Sequence, residues 1–368
     1  MKTLLPALAL LLLAVACVRV TPRPGATGHP TPPPSVIRPV STNQTAAPHT
    51  PAHVPPAPSI HAPAAPTPHA PAAPPPPPAP AAASPDFLSA LAVQLRLDNA
   101  GYSCGGIDGQ WGRKSRNALN AWQTARSLPL TDAPDAAALS ALGATSGIFT
   151  SYVVTAADHS TLAPVPRSWL EKSKCETLAY STVEEALAER FHTTPATLRR
   201  LNPAVPWPNP PAGIHLQVPA VSSKRLPAPA SLEIRVADRT IAALDSSGRP
   251  VALFPCSVAA DKAKRPVNQT LHVQRCAENP DYTFDPALYA DQPEAAAIGK
   301  RLRIPPGPNN PVGTAWIGLD LPGYGIHGTP APEDISSTQS HGCFRLTNWD
   351  ATRLLRAIRT GTPVSVLP

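Results

Sequence analysis

The stretch "PPAPSIHAPAAPTPHAPAAPPPPPAPAAASP" sets the first limit on what this chain can fold into. Proline gives no N–H to a ladder and blocks a helix interior, and alanine between prolines buries little apolar surface. The chain has 52 prolines in 368 residues, against an average usage of about 5%, and they crowd between Thr21 and Pro85. That segment reads as a disordered, polyproline-II-rich spacer over residues 18–83. Five histidines, His29, His49, His53, His61 and His69, lie in it at irregular intervals with no cysteine near, which reads as solvated linker, not as a metal tract. Any folded part must begin after it.

The spacer follows an export signal. Lys2 precedes "LLPALALLLLAVA", a positive start and an apolar run too short to span a membrane, so residues 1–17 read as a signal peptide. "AVAC" resembles the lipobox of bacterial lipoproteins, which implies a lipid on Cys17 after cleavage. Val18 is not the Asp that marks inner-membrane retention, so the expected place is the periplasm, on an outer-membrane lipoprotein anchor.

The formal charge of +7 and pI near 9.3 are mild for this length, and no basic run interleaved with aromatics appears. Nucleic-acid binding is not expected. Six cysteines stand at 17, 104, 175, 256, 276 and 343. An exported chain can form disulfides, and Cys256 and Cys276, each ending a strand-like run, are the expected pair.

Three modules follow the spacer. In residues 84–144, "SPDF" reads as a helix start with Ser84 as cap and Pro85 first, and Leu88, Leu91 and Leu95 share a helical face. After the turn "CGGIDGQWG", Ser115, Ala118, Leu119 and Trp122 repeat helical spacing. Asp108 reads as a turn residue and Trp122 as core. The pattern Gly101, Tyr102, Ile107, Asp108, Gly109, Gly112, Ser115, Ala118, Trp122 and Gln123 resembles the peptidoglycan-binding domain type 1, a three-helix module, which implies wall binding. In residues 150–220, "TVEEALAERFHTTPATLRRLNP" reads as two short helices between the strands "YVV" and "HLQVP". That outline resembles LysM, an α+β glycan-binding fold, but about thirty residues including Cys175 stand where "GDTL" is usual. Such a module either grips glycan or only spaces its neighbours. Residues 231–368 alternate apolar and polar residues with hairpin turns such as "SSGRP", and only "NWDATRLLRAIRTG" has helical spacing, with Asn348 as cap and Gly361 as stop. This is a mainly β domain, mostly antiparallel, with one short helix.

The chemistry lies in "IHGTPAPEDISSTQSHGCFRL". His327, His341 and Cys343 would suit an open zinc site, but their intervals match no common zinc signature. A cysteine nucleophile with a histidine base fits better, because a neighbouring histidine can lower a thiol's pKa and raise its thiolate fraction. Extended backbone would put His341 and Cys343 on one face, and Gly342 lets amides turn toward a substrate. An inert buried Cys343 with two half-exposed histidines remains the bland alternative. From the residues alone, either His327 or His341 can be the base.

The run from Gly307 through His327 to Ser340, His341, Gly342, Cys343 and Arg345 resembles the L,D-transpeptidase (YkuD) catalytic domain, a β-sandwich that cross-links peptidoglycan stem peptides. The resemblance implies that Cys343 attacks the diaminopimelate carbonyl of a donor tetrapeptide and expels D-Ala. It implies His327 as base with the Gly328 carbonyl holding its ring, and His341 lining the site. The amides of Gly342 and Cys343 would receive the oxyanion. Arg345, Ser340 and Tyr324 would meet substrate. No metal or cofactor is implied; carbapenems would acylate Cys343. The acyl group would pass to an amine, with hydrolysis by the same residues, or a non-catalytic wall tether, as alternatives. Two loop positions differ from the family: Ser336 stands where a glycine is usual, and Asn268 ends what is usually a "P-x-G" turn.

Overall fold

The computed structural model describes residues 86–143, 147–289, 292–336, 340 and 342–368. The export segment with Cys17, the spacer and His341 lie outside the described residues.

The first module holds α1 (Phe87–Asn99), α2 (Arg113–Thr124) and α3 (Ala136–Leu142). The cap of α1 is Asp86, not Ser84: its side chain accepts from Ser89 N at 2.9 Å. Leu91 and Leu95 are fully buried, but Leu88 is 54% exposed. Phe87 takes the inward place in the first turn, lying so close over Gly109 that a Cβ there would meet its ring at 2.3 Å. Gly109 also has φ +67°, a conformation that costs glycine little. The buried Gln94 clasps the Asp108 turn, donating to Asp108 Oδ1 and accepting from the N–H groups of Asp108 and Gly109. Trp122 is a core residue.

In the second module β1 (Phe149–Val153) pairs antiparallel with β2 (His215–Pro219). Between them run α4 (Ala156–Ser160), α5 (Trp169–Lys172), α6 (Val183–Arg190) and α7 (Pro195–Leu201). Thr182 caps α6, and Thr194 caps α7 with Pro195 in its first turn. Val183, Leu187, Leu198, Leu216 and Val218 form its core.

The third module contains β3 (Ser231–Arg235), β4 (Thr240–Leu244), β5 (Pro250–Pro255), β6 (Gln269–Glu278), β7 (Tyr282–Phe284), α8 (Pro293–Ile298), β8 (Leu302–Ile304), β9 (Ala315–Leu319), β10 (Gly325–His327), β11 (Phe344–Arg345), α9 (Asn348–Ala357) and β12 (Pro363–Leu367). The expected sandwich takes the form of one curled eight-stranded sheet in the order β11-β10-β9-β6-β12-β3-β4-β5. The ten-residue β6 belongs to both halves, and a Ser257–Arg345 bridge brings the chain after β5 back against β11. The enclosed core includes Phe254, Val273, Ile317, Ile326, Phe344, Leu354 and Val366. Pairing is mostly antiparallel; β12–β3 and β10–β11 are parallel. Besides the expected helix α9, the module carries α8. The cap of α9 is Thr347, one residue before Asn348, because its hydroxyl accepts from Asp350 N. The helix stops at Ala357, ahead of Gly361.

The expected Cys256–Cys276 disulfide is absent: Cys104, Cys175, Cys256, Cys276 and Cys343 are all free thiols. Cys256 follows β5 in the core and Cys276 lies exposed on β6. Three strands separate β5 from β6 along the sheet, and the other way round β9, β10 and β11 intervene. That span exceeds the Cα separation of about 7 Å that a disulfide tolerates.

The residues between β1 and α6 pack on the third module. Trp169 stacks on Phe284 at 4.5 Å between centroids, and its N–H donates to Glu294 at 2.6 Å. Leu178 is buried with Phe284, Ala295, Leu302 and Ile304, and its N–H donates to Pro306 O. The β7–β8 ribbon thus borrows half of its apolar support from the second module. Trp169→Ala should destabilise the protein by about 2–3 kcal/mol, read as a lower urea midpoint; an unchanged midpoint contradicts this wedge.

Candidate active site

The parallel pairing of β10 with β11 sets Ile326 beside Phe344 and His327 beside Arg345. Continued by one residue, the register puts Cys343 beside Gly325. Ile326 and Phe344 point into the core, so His327, Cys343 and Arg345 share the opposite face by the two-residue period of a strand. A two-residue β11 suffices for this, because Leu346 N also donates to His327 O and Ser257 exchanges bonds with Arg345.

His327 is 5% exposed and stacks on Trp316 at 5.6 Å, across the β9–β10 register. Its Nδ1 lies 2.7 Å from the Gly328 carbonyl. A carbonyl only accepts, so Nδ1 carries the proton and Nε2 presents its lone pair. Burial lowers the His327 pKa to about 4, with the Arg345 charge acting the same way and the Gly328 bond opposing. At neutral pH the ring is an uncharged base.

Burial raises the Cys343 thiol above its ordinary value, although a Gly325 backbone bond and Arg345 pull the other way. Its Sγ donates to Gly323 O at 3.3 Å. Burial thus favours the uncharged form of both the thiol and the ring. A pair of this kind can react by general-base catalysis, the ring nitrogen taking the thiol proton as the sulfur attacks.

The other candidates fall into place unequally. Ser340 is 5% exposed; its hydroxyl donates to Cys343 O and lies 3.4 Å from Gly342 N. It thus pins the turn that carries Cys343. Gly342 has no left-handed φ, and nothing lies within 4 Å of where its Cβ would be. It keeps the approach to the neighbouring amides open. Tyr324 is half-buried, and its hydroxyl donates to Lys264 O at 2.8 Å. Arg345 is half-buried; Asp334, Cys343 and Tyr289 face it electrostatically, and its Nε is buried without a hydrogen-bond partner.

Gly328 is held from behind. A Cβ at Gly328 would lie 2.3 Å from Asn348 Oδ1, and one at Gly313 1.9 Å from the same atom. Asn348 Oδ1 accepts from Thr314 N at 3.2 Å. Above the site, Tyr282 and Tyr289 share a hydrogen bond of 2.9 Å, and both sense the reactive face, Tyr282 through Cys343 and Tyr289 through Arg345. Trp316, Tyr282, Tyr289 and Asn348 had no separate signal in the sequence, although Trp316 belongs to the alternating run "AWIGLD" that marks β9.

The two unusual loop positions are both left-handed: Ser336 has φ +68° and Asn268 φ +61°. Asparagine tolerates that region. Serine does so at a cost of about 1–2 kcal/mol, offset by its hydroxyl on Cys256 O, its N–H on Ser257 Oγ and the Arg239 guanidinium on its carbonyl.

Known proteins share sequence with this chain mainly in the third module. A putative L,D-transpeptidase YkuD of Bacillus licheniformis is 26% identical over 184 residues, 50% of this chain and 93% of that protein. A putative L,D-transpeptidase from the ATP synthase region of Fuscovulum blasticum is 34% identical over 125 residues, 33% of this chain and 61% of the relative. The crystal structure of an L,D-transpeptidase from Xylanimonas cellulosilytica covers 79% of this chain and 99% of its own, at 17% identity and a TM-score of 0.32. Residues 229–366, which carry His327 and Cys343, match the family model of the L,D-transpeptidase catalytic domain, YkuD.

Proposed function

We propose that the chain is an exported peptidoglycan L,D-transpeptidase with Cys343 as nucleophile and His327 as general base. The observation that carries this reading is the His327 ring, its Nδ1 held by Gly328 O, on the same sheet face as Cys343 one strand away. Cys343 Sγ attacks the carbonyl of diaminopimelate in a donor tetrapeptide while Nε2 takes the thiol proton. The amides of Gly342 and Cys343 receive the oxyanion. As the C–N bond breaks, His327 returns the proton to the departing amine of D-Ala, leaving a thioester. An acceptor amine then attacks the thioester, gives its proton to His327, and the thiolate leaves and is reprotonated. Arg345, with a buried Nε left unpaired, suits a carboxylate of the donor stem. His341 is placed beside the same site by sequence only. Export, lipidation of Cys17 and wall binding by the first and second modules belong to the same reading and rest on their motifs.

The test is incubation with tetrapeptide muropeptides and mass-resolved products. The expected result is released D-Ala together with a cross-linked dimer or an amine adduct. Tripeptide alone would make the enzyme a carboxypeptidase, and intact tetrapeptide would sink the assignment. Arg345→Ala should raise the donor KM by about 10- to 100-fold, with kcat less affected; an unchanged KM contradicts its role.

A further inference from the structure

The second module reaches the catalytic histidine through hydrogen bonds to Asn348 and the packing of the Asn348 amide on Gly328. Glu189, near the end of α6, accepts from Tyr180 Oη at 2.7 Å and from Asn348 Nδ2 at 2.9 Å. Asn348 Nδ2 also donates to Pro308 O at 3.1 Å, so both amide protons are used. The amide is thereby oriented with Oδ1 toward Thr314 N and against the Gly313 and Gly328 backbones. Gly328 O in turn receives the His327 Nδ1 proton. A rotated Asn348 amide would set its NH2 against Thr314 N–H and lose the backing of Gly328.

We propose that Glu189 is a positioning residue for His327, acting through the Asn348 amide and the Gly328 carbonyl. The inference rests on the assignment of Cys343 and His327 made above. It gives the second module a part in catalysis that does not depend on glycan binding. The chain of contacts is short, and an added Cβ at Gly313 or Gly328 would collide with Asn348 Oδ1, so the amide packs directly on both backbones.

The ionisation of Glu189 bears on this role. Burial raises its carboxyl to about 7; bonds from Tyr180 and Asn348 lower it, Glu185 raises it and His192 lowers it. Arg190 faces Tyr180, and the same junction holds Asp98, Asp350 and Arg353. Above pH 7 the carboxylate accepts from both donors and locks the amide. Below it, the protonated acid has one proton to give and holds Asn348 less firmly.

The test compares carbapenem acylation of the full chain with that of Glu189→Gln, a neutral stand-in for the protonated acid, from pH 5.5 to 8.5. The expected rate ratio, wild type over variant, is roughly tenfold at pH 8, falls to about one at pH 5.5 and has its midpoint near 7. A ratio of one throughout, or a ratio that does not vary with pH, overturns the proposal; the latter would be a purely structural effect. Tyr180→Phe removes a bond that lowers the Glu189 pKa, so it should move the wild-type limb to higher pH. An unmoved limb overturns the assignment to Glu189, and this variant carries the test should Glu189→Gln fail to fold. A wild type left unlabelled by the carbapenem overturns the assignment of Cys343 and His327 along with it, whereas a labelled wild type with a flat ratio overturns the Glu189 step alone.

Discussion

Cys343→Ala should form no carbapenem adduct and release no D-Ala, a loss on the order of 10⁴-fold or more against wild type. The size follows from the covalent route. Without Sγ there is no thioester, and the remaining oxyanion donors have no attacking atom to complement. Cys104 and Cys256 cannot substitute, because both are fully buried and burial raises their thiols, that of Cys256 to about 12. Intact mass after carbapenem treatment reads this directly: one adduct on the wild type and none on the variant. A variant that still takes one equivalent would place the nucleophile elsewhere.

His327→Gln should slow acylation by about 10³-fold, within the usual range for a positioned base. The resting thiol is held up by burial, so the proposed reaction needs a group to take its proton, and the proposal assigns that task to His327 Nε2. A preformed thiolate would lose much less on this substitution. The pH dependence also separates the two. The folded ring takes a proton only near pH 4, whereas the unfolded chain's histidine does so near 6.5. The unfolded state therefore binds the extra proton first as pH falls. The His327 contribution to stability is complete above 6.5 and is lost as pH falls through 4, by about 3 kcal/mol in all. Glu189 has the reverse sign, since its folded pKa is raised from 4.5 to about 7: stability falls as pH rises through that window. In His327→Gln the acid loss should vanish and the Glu189 trend remain, as read by thermal unfolding between pH 4 and 8. A variant that keeps the wild-type acid loss contradicts the buried neutral ring.

The sequence made the site more legible than its surroundings. His327, Cys343 and Arg345 could be picked out because a short motif carries them and strand alternation fixes their common face. The helix caps were read one or two residues off: Thr347 and Asp86 do the work assigned to Asn348 and Ser84, since neighbouring polar residues compete for the same amides. The burial of His327 against Trp316, which governs its protonation, could not be read locally because it depends on strand order. The proposed disulfide failed for the same reason: Cys256 and Cys276 are near in sequence but on opposite sides of a curled sheet. The roughly thirty residues between β1 and α6, which had no reading of their own in the sequence, support the β7–β8 ribbon through Trp169 and Leu178. Contacts between modules, including Glu189 with Asn348, join residues 159 positions apart and leave no periodic trace.

The central claim, an acyl-enzyme on Cys343 made from a donor stem with a neutral histidine as base, is tested most directly by trapping that intermediate. Wild-type protein would be mixed with tetrapeptide donor, quenched in acid after short times and mapped by peptide mass. The peptide containing Cys343 should carry the donor minus D-Ala, at a rate that matches D-Ala release. D-Ala released with no acyl group on that peptide, or an acyl group on another residue, would contradict it.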